Sequence, residues 1–396
     1  MCRSRGGTEK RAMKRLLLFI ALVLLLTTPV YAEPADTVEP PPTEELFEQQ
    51  LEASGAGELV FMLPSETQAY LRELGVDQLT PGSLLSLEPS QFFNVLWLMV
   101  KDTLSKPKIL FFSILGIILL CSLVDGFKEG FLQKPIGGVF TTVSVLCIVA
   151  GIITPIWSCI ERTSRAVYDC ANFMLGFVPV LSGIMAVSGQ PVTASTYSLF
   201  LFTAAELVSQ IASTTVVPLL CIYLAFCIVS AVSPQLNLVG AAKMLKSCAT
   251  WVLGFIITIF VGLLGVQTIV STGADTVAIK AGKFLVGSFV PIVGGALSDA
   301  VASVGGCISL LKSVVGGFGI IAAAIIFLPV LIDAAIWYLT LNIAAAVSDI
   351  FDLKPVSEVL KSSATAVSLL LAVILCFALL LIVATTITLV ISSGAM

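Results

Sequence analysis

The chain contains no histidine. That single absence removes imidazole-based triads, histidine-ligated zinc and histidine proton relays. Charge is scarce as well: 12% of the 396 residues are Asp, Glu, Lys or Arg, where soluble domains carry about 25%. The ten cysteines include no CxxC pair, so zinc and redox spacings are missing. Most lie in apolar runs, where cysteine acts as a small hydrophobe. Cys159 and Cys170 flank one short polar stretch and are the pair that a disulfide would join. There is no P-loop, nucleophile elbow, carboxylate dyad or metal motif. Gly305-Gly306 and Gly316-Gly317-Phe318-Gly319 lack a following Lys-Ser/Thr and read as packing glycines, not as a phosphate cradle. These absences point away from an enzyme and leave no cofactor or metal to expect.

What the chain has in abundance is apolar sequence: 57% hydrophobic residues and a mean hydropathy of +1.04. Apolar runs at 109–124, 136–160, 192–210, 211–232, 249–270, 320–347 and 364–391 approach or exceed the roughly 20 residues that cross a bilayer, and only Glu206 and Asp333 interrupt them with charge. The expected fold is an all-α polytopic membrane protein, with membrane lipid as its first partner. Residues 1–32 read as a signal peptide: Arg11, Lys14 and Arg15 precede a short apolar core, then Val30-Tyr31-Ala32. Reading from Met13 gives the cleaner signal, so residues 1–12 fit an upstream start.

Residues 33–106 form the expected exported segment. It holds 13 acidic and three basic residues and opens with a Pro-rich linker, 33–42. Its charge argues against nucleic-acid binding. Short helices are expected at 44–59 and 65–74, the latter capped at Ser65 and closed at Leu74-Gly75. A third begins near Ser90 and carries Phe92, Phe93 and Trp97. It lies either in the membrane interface or in a small core of its own. Few residues are available to bury, so this module leans on the membrane domain or a partner.

The remainder divides into two spans at 107–160 and two related halves, 161–270 and 271–396. Phe177-Val178-Pro179-Val180-Leu181-Ser182-Gly183 returns as Phe289-Val290-Pro291-Ile292-Val293-Gly294-Gly295. Val217-Pro218-Leu219-Leu220 returns as Leu328-Pro329-Val330-Leu331, and Leu245-Lys246-Ser247 as Leu360-Lys361-Ser362. Order and spacing are kept, the sign of a duplicated unit. Exported residues 33–106 put the Lys128/Lys134 loop inside, as short basic loops prefer. Both Leu-Lys-Ser loops then face the cytoplasm too, which makes the repeats parallel. The polar stretches 161–172 and 271–283 read as loops outside.

Two sets of residues are the expected functional places. Phe177, Pro179 and Gly183, with Phe289, Pro291 and Gly295, mark paired re-entrant or kinked elements around a cavity, or else ordinary Pro-kinked helices packed through glycines. Glu206, Asp299, Lys312 and Asp333 are ionisable groups inside apolar sequence; such groups are costly there and face a cavity or each other. Lys312 is expected to pair with Asp299 or Asp333.

The signal, the acidic segment with Leu74-Gly75 and Pro81-Gly82, and the duplicated domain with Phe-Val-Pro and Leu-Lys-Ser-x-Ala-Thr resemble the stage III sporulation protein AE family of endospore-forming bacteria. The resemblance implies a multi-pass protein of the mother-cell-derived outer forespore membrane, with residues 33–106 extracytoplasmic. It further implies a non-enzymatic part in a secretion-like channel complex linking mother cell and forespore, beside other stage III sporulation proteins. An oligomer is compatible with this role. The other reading open to the sequence is an autonomous secondary transporter that works at the repeat interface.

Overall fold

A computed structural model describes residues 44–393 except 77, 86–87, 129–133, 233–237 and 290–293. Side chains at 106, 124–141, 208–209, 212–213, 239, 267–304 and 391–393 are also outside the description. The expected signal peptide and Pro-rich linker therefore lie outside the described residues. No strand occurs among them.

Four short helices come first: α1 (Glu44–Ala53), α2 (Ser65–Glu73), α3 (Pro81–Leu85) and α4 (Pro89–Thr103), with a 3-10 turn at Ala56–Val60. Pro64, not Ser65, is the N-cap of α2, and no side chain bonds its first N–H groups. Its C-terminus is a Schellman motif. Gly75 has φ 72°, Val76 N donates to Leu71 O at 2.9 Å and Gly75 N to Arg72 O at 3.0 Å. Leu71 and Val76 meet beneath the turn, both fully buried. These helices form an acidic collar.

Seven long elements follow: α5 (Ser105–Lys128), α6 (Lys134–Val187), α7 (Pro191–Ile211), α8 (Val217–Val232), α9 (Val239–Phe289), α10 (Gly294–Ile350) and α11 (Lys354–Ser393). A π-helical turn, Ala212–Val216, joins α7 to α8. Five candidate spans are long and apolar enough to cross a membrane: 142–187, 214–232, 240–266, 305–350 and 354–390. A sixth exists if 89–103 and 107–123, which meet at a 40° bend, act as one.

The buried side chains fall into two main cores, stacked along the same helices. The lower core takes α5, residues 145–160 of α6, α8, the first part of α9, the last part of α10 and the first part of α11. The upper core takes residues 166–185 of α6, α7, Phe260 and Leu264 of α9, residues 311–327 of α10, residues 374–384 of α11, and the collar. Phe47, Leu59, Leu71, Val95 and Met99 of the collar belong to this upper core, so α4 packs on the bundle and does not form a core of its own. Tyr197 of α7 and Thr385 of α11 join hydroxyls at 3.3 Å inside it.

Several expected loops are helix. The polar stretch 161–172 lies within the 54-residue α6, and 271–283 within the 51-residue α9. The expected domain boundaries after 160 and 270 thus fall inside continuous helices. In 161–172 the charged side chains line a hollow under the collar or face outward, and they mark no chain reversal. Helix α6 also runs unbroken through Gly176, Pro179 and Gly183, and the chain turns only at Gly189, whose φ is 88°. A proline inside a helix costs about 3 kcal/mol. Burying Phe177, Val178 and Leu181, all fully enclosed, returns about 1.5–3 kcal/mol each, so packing wins. Ser182 Oγ caps the carbonyl of Pro179 at 3.1 Å. In the second copy Pro291 lies outside the described residues, and Phe289 and Gly295 are described by backbone alone. Cys159 and Cys170 are free thiols on α6, eleven residues and about 16 Å apart along the axis, so they do not pair.

Of the three echoes, Phe177 lies in the upper core, Pro218 is flanked by lower-core residues and Pro329 by residues packed on the upper core, and Lys246 and Lys361 stand near the lower helix ends.

Candidate functional site

The collar roofs a seam between α6 and α10, and the seam holds two hollows separated by a plug. The lower hollow, of about 480 Å³, is polar. Its floor comes from α6 (Arg162, Arg165, Asp169) and α10 (Pro329, Asp333), and its roof from α2 and α4 (Glu66, Tyr70, Asp102). Asp333 is almost fully buried, and Arg162 answers it at 3.2 Å. Cys159 Sγ donates a long bond, 3.9 Å, to the same carboxylate. Thr163 Oγ1 returns its proton to the Cys159 carbonyl at 2.8 Å, which fixes this turn of α6. Arg165 bridges Glu161 at 2.9 Å on the exposed face, an i,i+4 pair of little energetic weight. On the roof, burial together with Glu66, Asp102 and Glu73 raises the Tyr70 phenol above its usual value. Tyr70 therefore stays protonated and can donate.

Acidic groups outnumber basic ones in this lining. It can hold water and cations, or exchange ion-pair partners. It lacks a nucleophile with a placed base, and the described residues contain no cluster able to hold a metal ion.

The upper hollow, of about 530 Å³, is mainly apolar. Pro179, Gly183 and Val187 of α6, Ile308 and Leu311 of α10, and Gln50 of α1 are among its lining residues. The buried Oε1 of Gln50 has no hydrogen-bond partner there. Between the hollows Phe173 stacks on Phe177 at 5.5 Å and meets Phe318 edge-on at 6.4 Å. Gly319 is the socket for this plug, since a Cβ on it would collide with the Phe177 ring. A Cβ on Gly316 would press on Leu389 of α11, and one on Gly317 would touch Leu84 of α3 at 3.7 Å. The glycine triplet thus lets three neighbours approach α10 on three sides.

The structure distributes the expected site residues unevenly. Pro179 and Gly183 line the upper hollow, whereas Phe177 is core. Glu206 is exposed on α7, away from both hollows. Asp299 has no described side chain. Lys312 is buried, but it cannot reach either expected partner: Asp299 and Asp333 are 13 and 21 residues away on the same helix, about 20 and 31 Å. The partner of Asp333 is Arg162, which sequence reasoning missed because its stretch read as a loop.

This architecture, all helix among the described residues with five candidate spans, fits a multi-pass membrane protein. The family model for stage III sporulation protein AE matches residues 76–394, and the chain belongs to that family. Stage III sporulation protein AE of Bacillus subtilis (strain 168) is 25% identical over 219 residues, 54% of this chain and 54% of the relative. The chain thus spans about half the length of the curated relative it matches. No solved structure matches. Family membership implies a role in sporulation.

Proposed function

We propose that the chain is a membrane component of a channel or secretion-like complex between mother cell and forespore, seated in the outer forespore membrane with its collar between the two membranes. The observation that carries this reading is the seam: a roofed path along α6 and α10 with a polar mouth, an aromatic plug and an apolar chamber. It reads as a closed conduit or as a docking track, with other stage III sporulation proteins as partners and no catalysis of its own. The internal repeat supports an evolved two-part frame. Matched residues Lys246 and Lys361 lie on helices that both run from the lower core to the upper. That is what a parallel duplication requires. Affinity purification of the tagged chain from sporulating cells tests the reading. Co-purification of other sporulation membrane proteins is expected, and normal forespore development after deletion would sink it.

The transporter reading predicts solute binding by the purified protein, weakened by Glu206→Gln or Asp333→Asn. Its motive is reduced, since Glu206 does not line the hollow that holds Asp333.

A further inference from the structure

We infer that the bilayer surrounds only the lower core, and that the upper core stands clear of the membrane on the collar side as a helical tower. Length forces a choice. Helices α6, α9 and α10 have 54, 51 and 57 residues, about 77–86 Å at 1.5 Å per residue. The hydrocarbon layer is about 30 Å thick. One bilayer cannot enclose both cores.

The collar excludes the upper core. It packs against that core alone, and its outer face carries exposed Glu48, Glu52, Glu58, Glu66 and Glu73. Such a layer at hydrocarbon depth would bury charges at a prohibitive cost. The outer surface of α7 is mixed: Ser195, Thr203, Glu206 and Gln210 alternate there with exposed Leu199 and Leu207. The lower core has the opposite exterior. Ile109, Phe112 and Leu120 of α5, Ile153 and Trp157 of α6, and Trp251 and Phe255 of α9 are 52–75% exposed, a surface only hydrocarbon covers cheaply.

The edges of the belt are marked on both sides. Trp157 is 61% exposed five residues below Arg162, and Trp251 is 75% exposed five residues above Lys246. Tryptophan concentrates at the two membrane interfaces. Between Asp333 and Asp349, α10 has no charged residue over about 24 Å. Along α6 the uncharged stretch from Lys134 to Glu161 is about 40 Å. These two values bracket the hydrocarbon thickness. The polar hollow thus opens at the headgroup level, and the plug and apolar hollow lie above the membrane.

The test uses the unmodified full chain, reconstituted into phosphatidylethanolamine–phosphatidylglycerol vesicles that contain a lipid with a diazirine in its acyl chain. After photolysis, peptide mapping by mass spectrometry is expected to find adducts in 109–123 and 337–347 and at least tenfold fewer in 191–207. Comparable adduct yields in 191–207 overturn the inference, as does their absence from 109–123. A Ser195→Cys variant provides the complement, with Cys147 and Cys248 replaced by serine. An impermeant maleimide should label it without detergent, whereas an Ile153→Cys variant in the same background should need detergent. Lipid adducts at 191–207 combined with protection of Ser195→Cys would place the upper core in the bilayer instead.

Discussion

The two cores are built from the same helices yet present opposite exteriors. Around the lower core, α9 turns Trp251 and Phe255 outward and keeps a narrow buried seam of Ala242, Ala249, Leu253, Phe260 and Leu264, with the last two entering the upper core. Around the upper core, α7 turns Glu206 and Gln210 outward beside Leu199 and Leu207, and an acidic collar covers α6 and α10. Inside, both are close-packed and apolar. The difference shows that hydropathy totals report what a helix buries as well as what it faces.

The contrast is open to attack at the plug first. Gly319→Ala forces a Cβ into the Phe177 ring, and overpacking of this kind costs about 1–3 kcal/mol. Thermal unfolding in detergent should show a clear loss, relieved in part by adding Phe177→Leu. The matched change in the lower core, Gly254→Ala on α9 beside Leu253, meets open space and should raise stability by about 0.5–1 kcal/mol through helix propensity. Equal effects at the two glycines would erase the distinction drawn between plug and belt.

Next in size is the pair at the junction of the cores. Arg162→Ala leaves the buried Asp333 carboxylate without its guanidinium, at a cost on the order of 2 kcal/mol, since Arg162 is half exposed and water takes part of its place. The double change Arg162→Ala with Asp333→Ala should cost less than the sum of the single changes, a coupling that a double-mutant cycle reads directly. Smaller again is Tyr197→Phe, which deletes the hydroxyl contact to Thr385 that ties α7 to α11. About 1 kcal/mol of lost stability is expected, with the upper core loosening before the lower in hydrogen exchange.

The smallest effect lies at the opposite end. Asp352 closes α10 with φ 54°, and Leu353 N bonds Ser348 O at 3.0 Å. Glycine takes this conformation without strain, so Asp352→Gly should stabilise by roughly 0.5–1 kcal/mol. The Asp352–Lys354 bridge that it removes is almost wholly exposed and contributes little.

The all-helical class, the spans and the collar's helical nature are legible in the sequence, because uncharged runs of bilayer length and turn residues such as Leu74-Gly75 are local signals. The continuity of α6 through Glu161–Asn172 is not. Arg162, Arg165 and Asp169 are compatible with helix, and only knowing that α10 and the collar lie alongside explains why they interrupt an apolar run. The Arg162–Asp333 pair escaped for the same reason: it joins residues 171 positions apart, and a nearer lysine on the same helix drew attention instead. Lys312 shows the limit of pairing charges by sequence distance, because a straight helix holds residues 13 or 21 apart well beyond side-chain reach. Pro179 was a fair guide to the upper hollow, which it lines, and a poor guide to chain breaks. Its ring lies on the open side of a helix whose other side is locked by three buried neighbours.

Helices α6, α9 and α10 pass from one core to the other without a loop, and each behaves as a long lever. A tilt of 5° at the lysine-bearing end of a rod about 80 Å long moves its far end by about 7 Å. That travel is comparable to the width of the phenylalanine stack. A push on one end of these rods would therefore be felt, magnified, at the other, with no signal needed other than rigid geometry.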